Sequence, residues 1–201
     1  MSDPLKDYTN KRDFDETPEP KGIIGDSERL PIFVIQKHDA RNLHYDLRLE
    51  SKGVLKSWAV PKGPSMDHKV RRLAIPTEDH PISYNDFEGV IPEGNYGAGT
   101  VIVWDRGTFQ NAKGDDVSFA DNLEEGHATI HISGEKLYGK FALIRTKRGG
   151  KRLQWLFFKM KDEYSETGSD VLADKPNSVK TGRSLSEVAE QESPSKIADF
   201  Q

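Results

Sequence analysis

Between His38 and Glu50 the chain reads HDARNLHYDLRLE, which places two histidines, two aspartates, two arginines and a glutamate within thirteen residues. Imidazole and carboxylate are the ligands that manganese, iron and zinc take from proteins. Arginine grips phosphate with two parallel N–H groups. If LHYDLRLE is a β-strand, its side chains alternate between two faces. Leu43, Tyr45, Leu47 and Leu49 then share one face, and His44, Asp46, Arg48 and Glu50 the other. Neighbours on one face are about 6.5–7 Å apart, twice the rise per residue. His44 and Asp46 can therefore converge on one ion, with Arg48 placed over an anion beside it. His38 closes the preceding strand, and the short turn DARN can bring it back to His44. The competing reading is a half-exposed antiparallel strand whose polar face meets water. Solvated faces favour Lys, Thr, Ser and Glu, yet spacing alone leaves the metal site and the solvated edge equally open.

A second cluster lies in EDHPISYNDFEGVIPEGNYGAG. His80 precedes a proline, which biases it to extended or turn geometry. Tyr84 follows four residues on, and Glu78 stands just before. His and Tyr together can orient or protonate a phosphate oxygen, whereas the plainer reading is a proline-fixed loop with a structural tyrosine. GNYGAG is glycine-rich but lacks the Lys-Ser/Thr of a phosphate-binding loop, so it reads as a turn. His127 and His131 share a strand face without an interleaved carboxylate and read as structural or surface residues. Trp58, Trp104 and Trp155 lie in apolar runs and read as core.

The elements that must carry these residues are short. From Pro31 to Met160 the strand-like runs are IFVIQKH, LHYDLRLE, VLKSWAV, RRLAI, TVIVWD, ATIHIS, YGKFALIR and QWLFFKM, separated mostly by Gly, Pro or Asn/Asp clusters. That pattern predicts a compact all-β sandwich or barrel over residues 31–161. SFADNLEEG has room for a short helix. Residues 1–30 form a polar arm without periodicity. Residues 162–201 are poor in apolar side chains and read as a disordered or weakly helical tail, with RSLSEVAEQ able to form a turn or two, and as dispensable for catalysis.

The 201 residues suit one domain with tails, and the absence of cysteine excludes disulfides, thiolate metal sites and a cysteine nucleophile. No apolar run approaches a membrane span or signal segment, so a soluble cytoplasmic protein is expected, with no membrane partner. Net charge is −4, but nine acids and five bases lie from Lys161 onward, leaving 24 of each in the first 160 residues. A neutral body with local basic clusters, KVRR and RTKRGGKR, can bind a nucleic-acid end without coating duplex.

The segments FVIQKHDARNLHYDLRLE, SWAVPKGPS and RLAIPTEDHPISYNDFEGVIPEGNYGAGTVIVWDRGTF, with the arm KRDFDETPEP, resemble one family. It is the 3′-phosphoesterase domain of bacterial non-homologous end-joining DNA ligase D and its stand-alone relatives. The resemblance runs from about Lys11 to Met160, and its motifs occur in order. With no polymerase or ligase module following, the stand-alone form is expected. The resemblance implies a β-barrel flanked by short helices. It also implies a manganese-dependent enzyme, other divalent transition metals being possible, that removes a 3′-terminal ribonucleoside from DNA and then the 3′-phosphate. DNA 3′ ends, especially primer–templates with a 3′-ribonucleotide or 3′-phosphate, are the implied partners, together with end-joining ligase, polymerase or Ku proteins. By motif, His38, His44 and Asp46 match the metal ligands, and Arg48, His80 and Tyr84 the groups holding the scissile phosphate. Arg12, Asp13 and Glu19 in the arm match residues the family also needs, as do Gln36, Lys62, Arg72 and Glu78. His80 is open to two roles, electrostatic stabiliser or acid to the leaving oxygen, and direct attack by water is the expected route.

Two other classes compete. The His-x-Asp of His44 and Asp46 has the form used by iron/2-oxoglutarate oxygenases, with His131 and Arg145 as distal partners. That casting leaves His38, Arg48, His80 and Tyr84 without a part. A non-catalytic DNA-end-binding module would use the same phosphate pocket, and a primer bearing one 3′-ribonucleotide, incubated with and without manganese, separates it from an enzyme.

Overall fold

The sequence LHYDLRLES, alternating and rich in leucine, forms strand β2 (Leu43–Ser51), and its neighbours follow the same rule. The computed structural model describes residues 3–22, 30–113, 117–146 and 153–192. Strands β1 (Ile32–Asp39), β2, β3 (Val54–Val60) and β4 (Arg72–Pro76) run into β10 (Gln154–Lys159), β9 (Tyr138–Thr146), β8 (His127–Gly134) and β7 (Gly99–Asn111). β7 then pairs back onto β1, so eight antiparallel strands close into a barrel. Each of the eight sequence-predicted strands contributes one stave. Two shorter strands, β5 (His80–Pro81) on β3 and β6 (Gly89–Ile91) on β7, were not predicted. At two and three residues they carry no periodic signal.

Closure divides the apolar residues into two sets. Phe33, Ile35, Tyr45, Leu47, Leu49, Trp58, Phe109, Ile130, Ile132, Phe141, Leu143, Trp155 and Phe157 form one cluster drawn from strands all round the barrel, which is its interior. Trp104 joins them where β7 bulges opposite Ile35 and Gln36. All three tryptophans are therefore core, as expected. Side chains of this size each stabilise by about 1.5–3 kcal/mol when buried.

The second cluster lies on the outward parity of the same strands. Val34, Leu55, Val101 and Val103 pack there against Tyr8, Tyr84, Phe87 and Ile91. Tyr8 belongs to helix α1 (Lys6–Asn10), and Tyr84 to a 3-10 turn at Ile82–Asp86 that follows β5. The arm and the β5–β6 excursion therefore cover one side of the barrel, and most of β2 is buried on both faces. Gly22 marks how close the arm comes: it sits at φ +60°, and a Cβ there would lie 2.0 Å from Pro81 Cβ.

SFADNLEEG does form a helix, α2 (Phe119–Glu125), capped by the Ser118 side chain and ended by Gly126 in the left-handed region. Residues 162–192 correct the expectation of disorder and match its weakly helical alternative. Helices α3 (Val171–Asp174) and α4 (Leu185–Glu192) each bury a valine, Val171 in the barrel core and Val188 at 0% exposure. Between them Lys175 O accepts from Trp104 Nε1 at 2.8 Å, and buried Glu88 takes Arg183, Ser178 and Thr181. Average composition misses a strap held by a few apolar anchors and many polar bonds. Residues 193–201, and Lys147–Arg152 of the RTKRGGKR cluster, lie outside the described residues.

Candidate metal and phosphate centre

The turn DARN sets the register of the β1–β2 hairpin so that His38 pairs directly with His44, Gln36 with Asp46 and Val34 with Arg48. The two imidazoles sit 4.8 Å apart between centroids. His38 Nδ1 is 3.5 Å from Asp46 Oδ2, and His44 Nε2 is 3.7 Å from Asp46 Oδ1. Among the described residues this trio is the group of His, Cys, Asp and Glu side chains able to share an ion, its ligand atoms within 4.8 Å of one another.

The outer nitrogens fix how the rings present themselves. His38 Nε2 donates to Gly97 O at 2.9 Å, and His44 Nδ1 donates to Asn42 O at 2.8 Å. A carbonyl only accepts, so each ring in its neutral form turns a lone pair toward Asp46. Three electron-pair donors then face one another, an arrangement that calls for a cation. Anchoring of the far nitrogen by a carbonyl is also how metal-ligating histidines are oriented. The donor set, two imidazoles and a carboxylate, suits a divalent transition ion.

Asp46 is buried, which opposes its ionisation, but the Arg48 guanidinium, joined by the two imidazoles when they carry a second proton, outweighs burial and holds its carboxyl below the usual aspartate range. Arg48, 4% exposed, is fastened on three sides. Its Nε donates to Gln36 Oε1 at 2.7 Å, Nη1 to Ser57 Oγ at 3.0 Å and Nη2 to Asp46 Oδ2 at 3.3 Å. Gln36 is itself pinned, its amide donating to Tyr84 O and Phe87 O at 3.1 and 2.9 Å. The solvated-edge reading of β2 therefore fails: Asp46, Arg48 and Glu50 are all buried.

β5 pairs with β3 so that His80 falls beside Leu55, within reach of Arg48. His80 Nε2 faces Arg12 Nη2 at 3.3 Å, and a guanidinium only donates. Nε2 can accept there, while Nδ1 lies 2.9 Å from both Arg48 Nη1 and Glu78 O, so a guanidinium faces each ring nitrogen. Burial, then Arg48 and Arg12, push His80 well below the ordinary histidine value and keep the ring neutral. Tyr84 donates its hydroxyl to Glu19 Oε1 at 2.8 Å, and burial followed by Glu19 raises it well above the tyrosine range. Arg12 stacks 3.9 Å over the Tyr8 ring and binds Glu19 at 2.8 Å and Glu78 at 3.2 Å. The arm is thereby locked to the β5 loop through two carboxylates.

An open cleft of about 350 Å³ is lined by His38, His44, Asp46, Arg48, His80, Tyr84, Arg12, Glu19 and Glu78. Gln36 lies beneath it, holding Arg48. Three further sequence-derived candidates do not line it. Asp13 is exposed, its carboxylate accepting from Asp15 N at 3.1 Å. Lys62 is exposed beyond β3, and Arg72 sits on β4 opposite Phe157 with its Nε buried and unpaired. Residues missed by sequence reasoning include Ser57, Thr77, Tyr96 and the Gly97 carbonyl. GNYGAG is a turn, as read, but its backbone anchors His38 and its tyrosine reaches the cleft rim, a role that glycine content does not encode. His131 packs against Tyr138 and Tyr164 and lies outside this cluster, which leaves the oxygenase casting without its distal histidine.

A closed antiparallel barrel with a buried arginine beside a two-histidine, one-carboxylate trio has the chemistry of a class of site suited to a phosphate ester next to a divalent ion. Comparison with known proteins gives the class a family. Residues 36–145 match the DNA ligase D 3′-phosphoesterase domain, and the chain belongs to that family. It is 52% identical over 188 residues to the multifunctional non-homologous end joining protein LigD of Pseudomonas aeruginosa, covering 92% of this chain and 22% of that protein. The LigD proteins of Mycobacterium bovis and Mycolicibacterium smegmatis are 46% and 45% identical over 81% and 85% of this chain. The chain thus spans about a fifth of the length of these relatives.

Proposed function

We propose that this chain heals DNA 3′ ends for end joining, with manganese as its working ion. It removes a 3′-terminal ribonucleoside by phosphodiester cleavage and then the 3′-phosphate, leaving a 3′-OH. The observation that carries the reading is Arg48, buried and triply fastened, in one cleft with the ligand trio. When bound at His38, His44 and Asp46, a divalent ion supplies Lewis-acid polarisation of phosphate and a lowered pKa for water.

The chain's own groups do the rest. Arg48 and Arg12 flank the neutral His80, and each keeps an Nη2 hydrogen beyond its bonds to protein. Those hydrogens can be given to phosphate oxygens as negative charge grows on them. Glu19, Asp46 and Glu78 balance Lys11, Arg12 and Arg48, so a divalent ion brings a surplus of two positive charges, suited to a phosphate dianion. His80, held neutral between two cations, serves as a positioning and hydrogen-bonding group in the ground state rather than a standing acid. Water attacks phosphorus, and the bond to the nucleoside 5′ oxygen, later to the DNA 3′ oxygen, breaks with protonation of that oxygen.

The test is a primer–template carrying one 3′-ribonucleotide, incubated with and without manganese, its products resolved as 3′-phosphate and 3′-OH. Successive appearance of both, only with metal, is expected. Retained binding of the 3′ end without any cleavage under any divalent ion would instead make the chain an end-binding module.

A further inference from the structure

The cleft floor is charged and committed, yet a terminal nucleoside also presents a planar base. We propose that Tyr96 is the stacking platform for the base of the 3′-terminal nucleoside that leaves in the diesterase step. This deepens the end-healing reading and rests on it. Four aromatic side chains other than Tyr96 line the cleft, and none is available, His80 being buried between Arg12 and Arg48. His38 and His44 belong to the ligand trio. Tyr84 is 2% exposed, with Arg48 4.8 Å over its ring and its hydroxyl on Glu19. Tyr96 is 50% exposed at the rim. Exposed π-faces are what proteins offer to unpaired bases, because every base stacks whatever its identity.

The ring is held ready before any ligand arrives. Lys11 Nζ lies 4.6 Å over its centroid and Arg12 Cζ 5.8 Å, and Lys11 also reaches its hydroxyl at 3.5 Å. Its turn is pinned by Asn95 N to Pro92 O and Ala98 N to Asn95 O, with Gly94 and Gly97 at φ +91° and +77°. A tyrosine fixed in this way loses little conformational entropy on contact. Its address is specific too, because Gly97, the next residue, anchors His38 at 2.9 Å. A base one sugar away from a phosphate held beside the trio falls within the reach of this rim. A bare 3′-phosphate has no such base, so the platform favours the first reaction over the second.

The test compares kcat/KM on primers ending in an ordinary ribonucleotide or in an abasic ribose, for wild type, Tyr96→Ala and Tyr96→Phe. Stacking is expected to give the wild type a preference of roughly 5- to 150-fold for the base-bearing end. Tyr96→Phe keeps that preference and Tyr96→Ala loses it, with calorimetric metal binding retained in both. Equal turnover of the two ends by wild type overturns the inference, as does a Tyr96→Ala protein that slows both ends in parallel, which marks a role only through Gly97 and His38. Absence of metal-dependent cleavage by wild type overturns the end-healing reading itself, and this inference with it.

Discussion

Replacing Arg48 by lysine keeps the charge and removes the fork. A lysine ammonium can satisfy Asp46 or Ser57, but it cannot also occupy the Nε position 2.7 Å from Gln36 Oε1. Gln36 cannot turn away, because its amide is spent on Tyr84 O and Phe87 O. One buried acceptor is left unpaired at about 1–3 kcal/mol, and weakened bonds to Ser57 and Asp46 bring the total to roughly 2–5 kcal/mol. For a domain of this size that lowers Tm by about 5–15 °C. Activity should suffer more, since loss of one preorganised donor to a developing oxyanion costs about 10²–10³-fold in kcat. The assay pairs primer cleavage and thermal unfolding with calorimetric manganese titration of Arg48→Lys and Arg48→Ala. Both proteins should stay folded and bind metal, while neither recovers the lost turnover. A lysine variant within about tenfold of wild type would refute the fork argument. Loss of metal binding in a folded variant would place Arg48 on the wrong side of the division between ligand and phosphate grip.

His44→Ala should abolish calorimetric manganese binding and cost more than the 10- to 100-fold typical of residues that merely orient ligands. Because the folded-state pKa of His80 is depressed, the unfolded chain binds the extra proton first, and stability present above pH 6.5 declines as pH falls below it. His80→Gln, which keeps an acceptor toward Arg12, should flatten that decline in urea titrations at successive pH values; an unchanged slope would show that His80 is not the group responsible. Truncation after Lys161 should lower Tm, since it exposes Val188-facing surface and strands Glu88 and Trp104 Nε1, each buried apolar side chain alone accounting for about 1.5–3 kcal/mol. A truncated protein as stable as the full chain would return the segment to the dispensable tail that its composition suggests.

The β2 alternation, the His38 turn and the eight staves were legible because each is local: a period of two, a four-residue turn, a run bounded by glycine or proline. What lay beyond reach was what covers the polar face. Nothing near His44 announces that Arg12, in another element, packs against His80, and only the family resemblance pointed to the arm. That resemblance placed Asp13, Lys62 and Arg72 among the needed residues, whereas the fold sets all three outside the cleft lining. Tyr96 and Gly97 were overlooked for the opposite reason, since a glycine-rich turn looks alike whether or not its carbonyl orients a histidine. The C-terminal strap was misjudged because sparse valines and carbonyl acceptors leave no trace in an average.

The ligand trio spans only nine residues of one hairpin, whereas the arginine grip joins positions 12, 48 and 80, and barrel closure joins Ile32 to Thr108. Hairpins form on the order of microseconds, whereas topologies dominated by distant pairings take milliseconds to seconds. A newly made chain therefore assembles its candidate ion site on a shorter clock than the arginine cluster beside it. On the end-healing reading, an ion bound there would stiffen the very hairpin on which the remaining staves assemble.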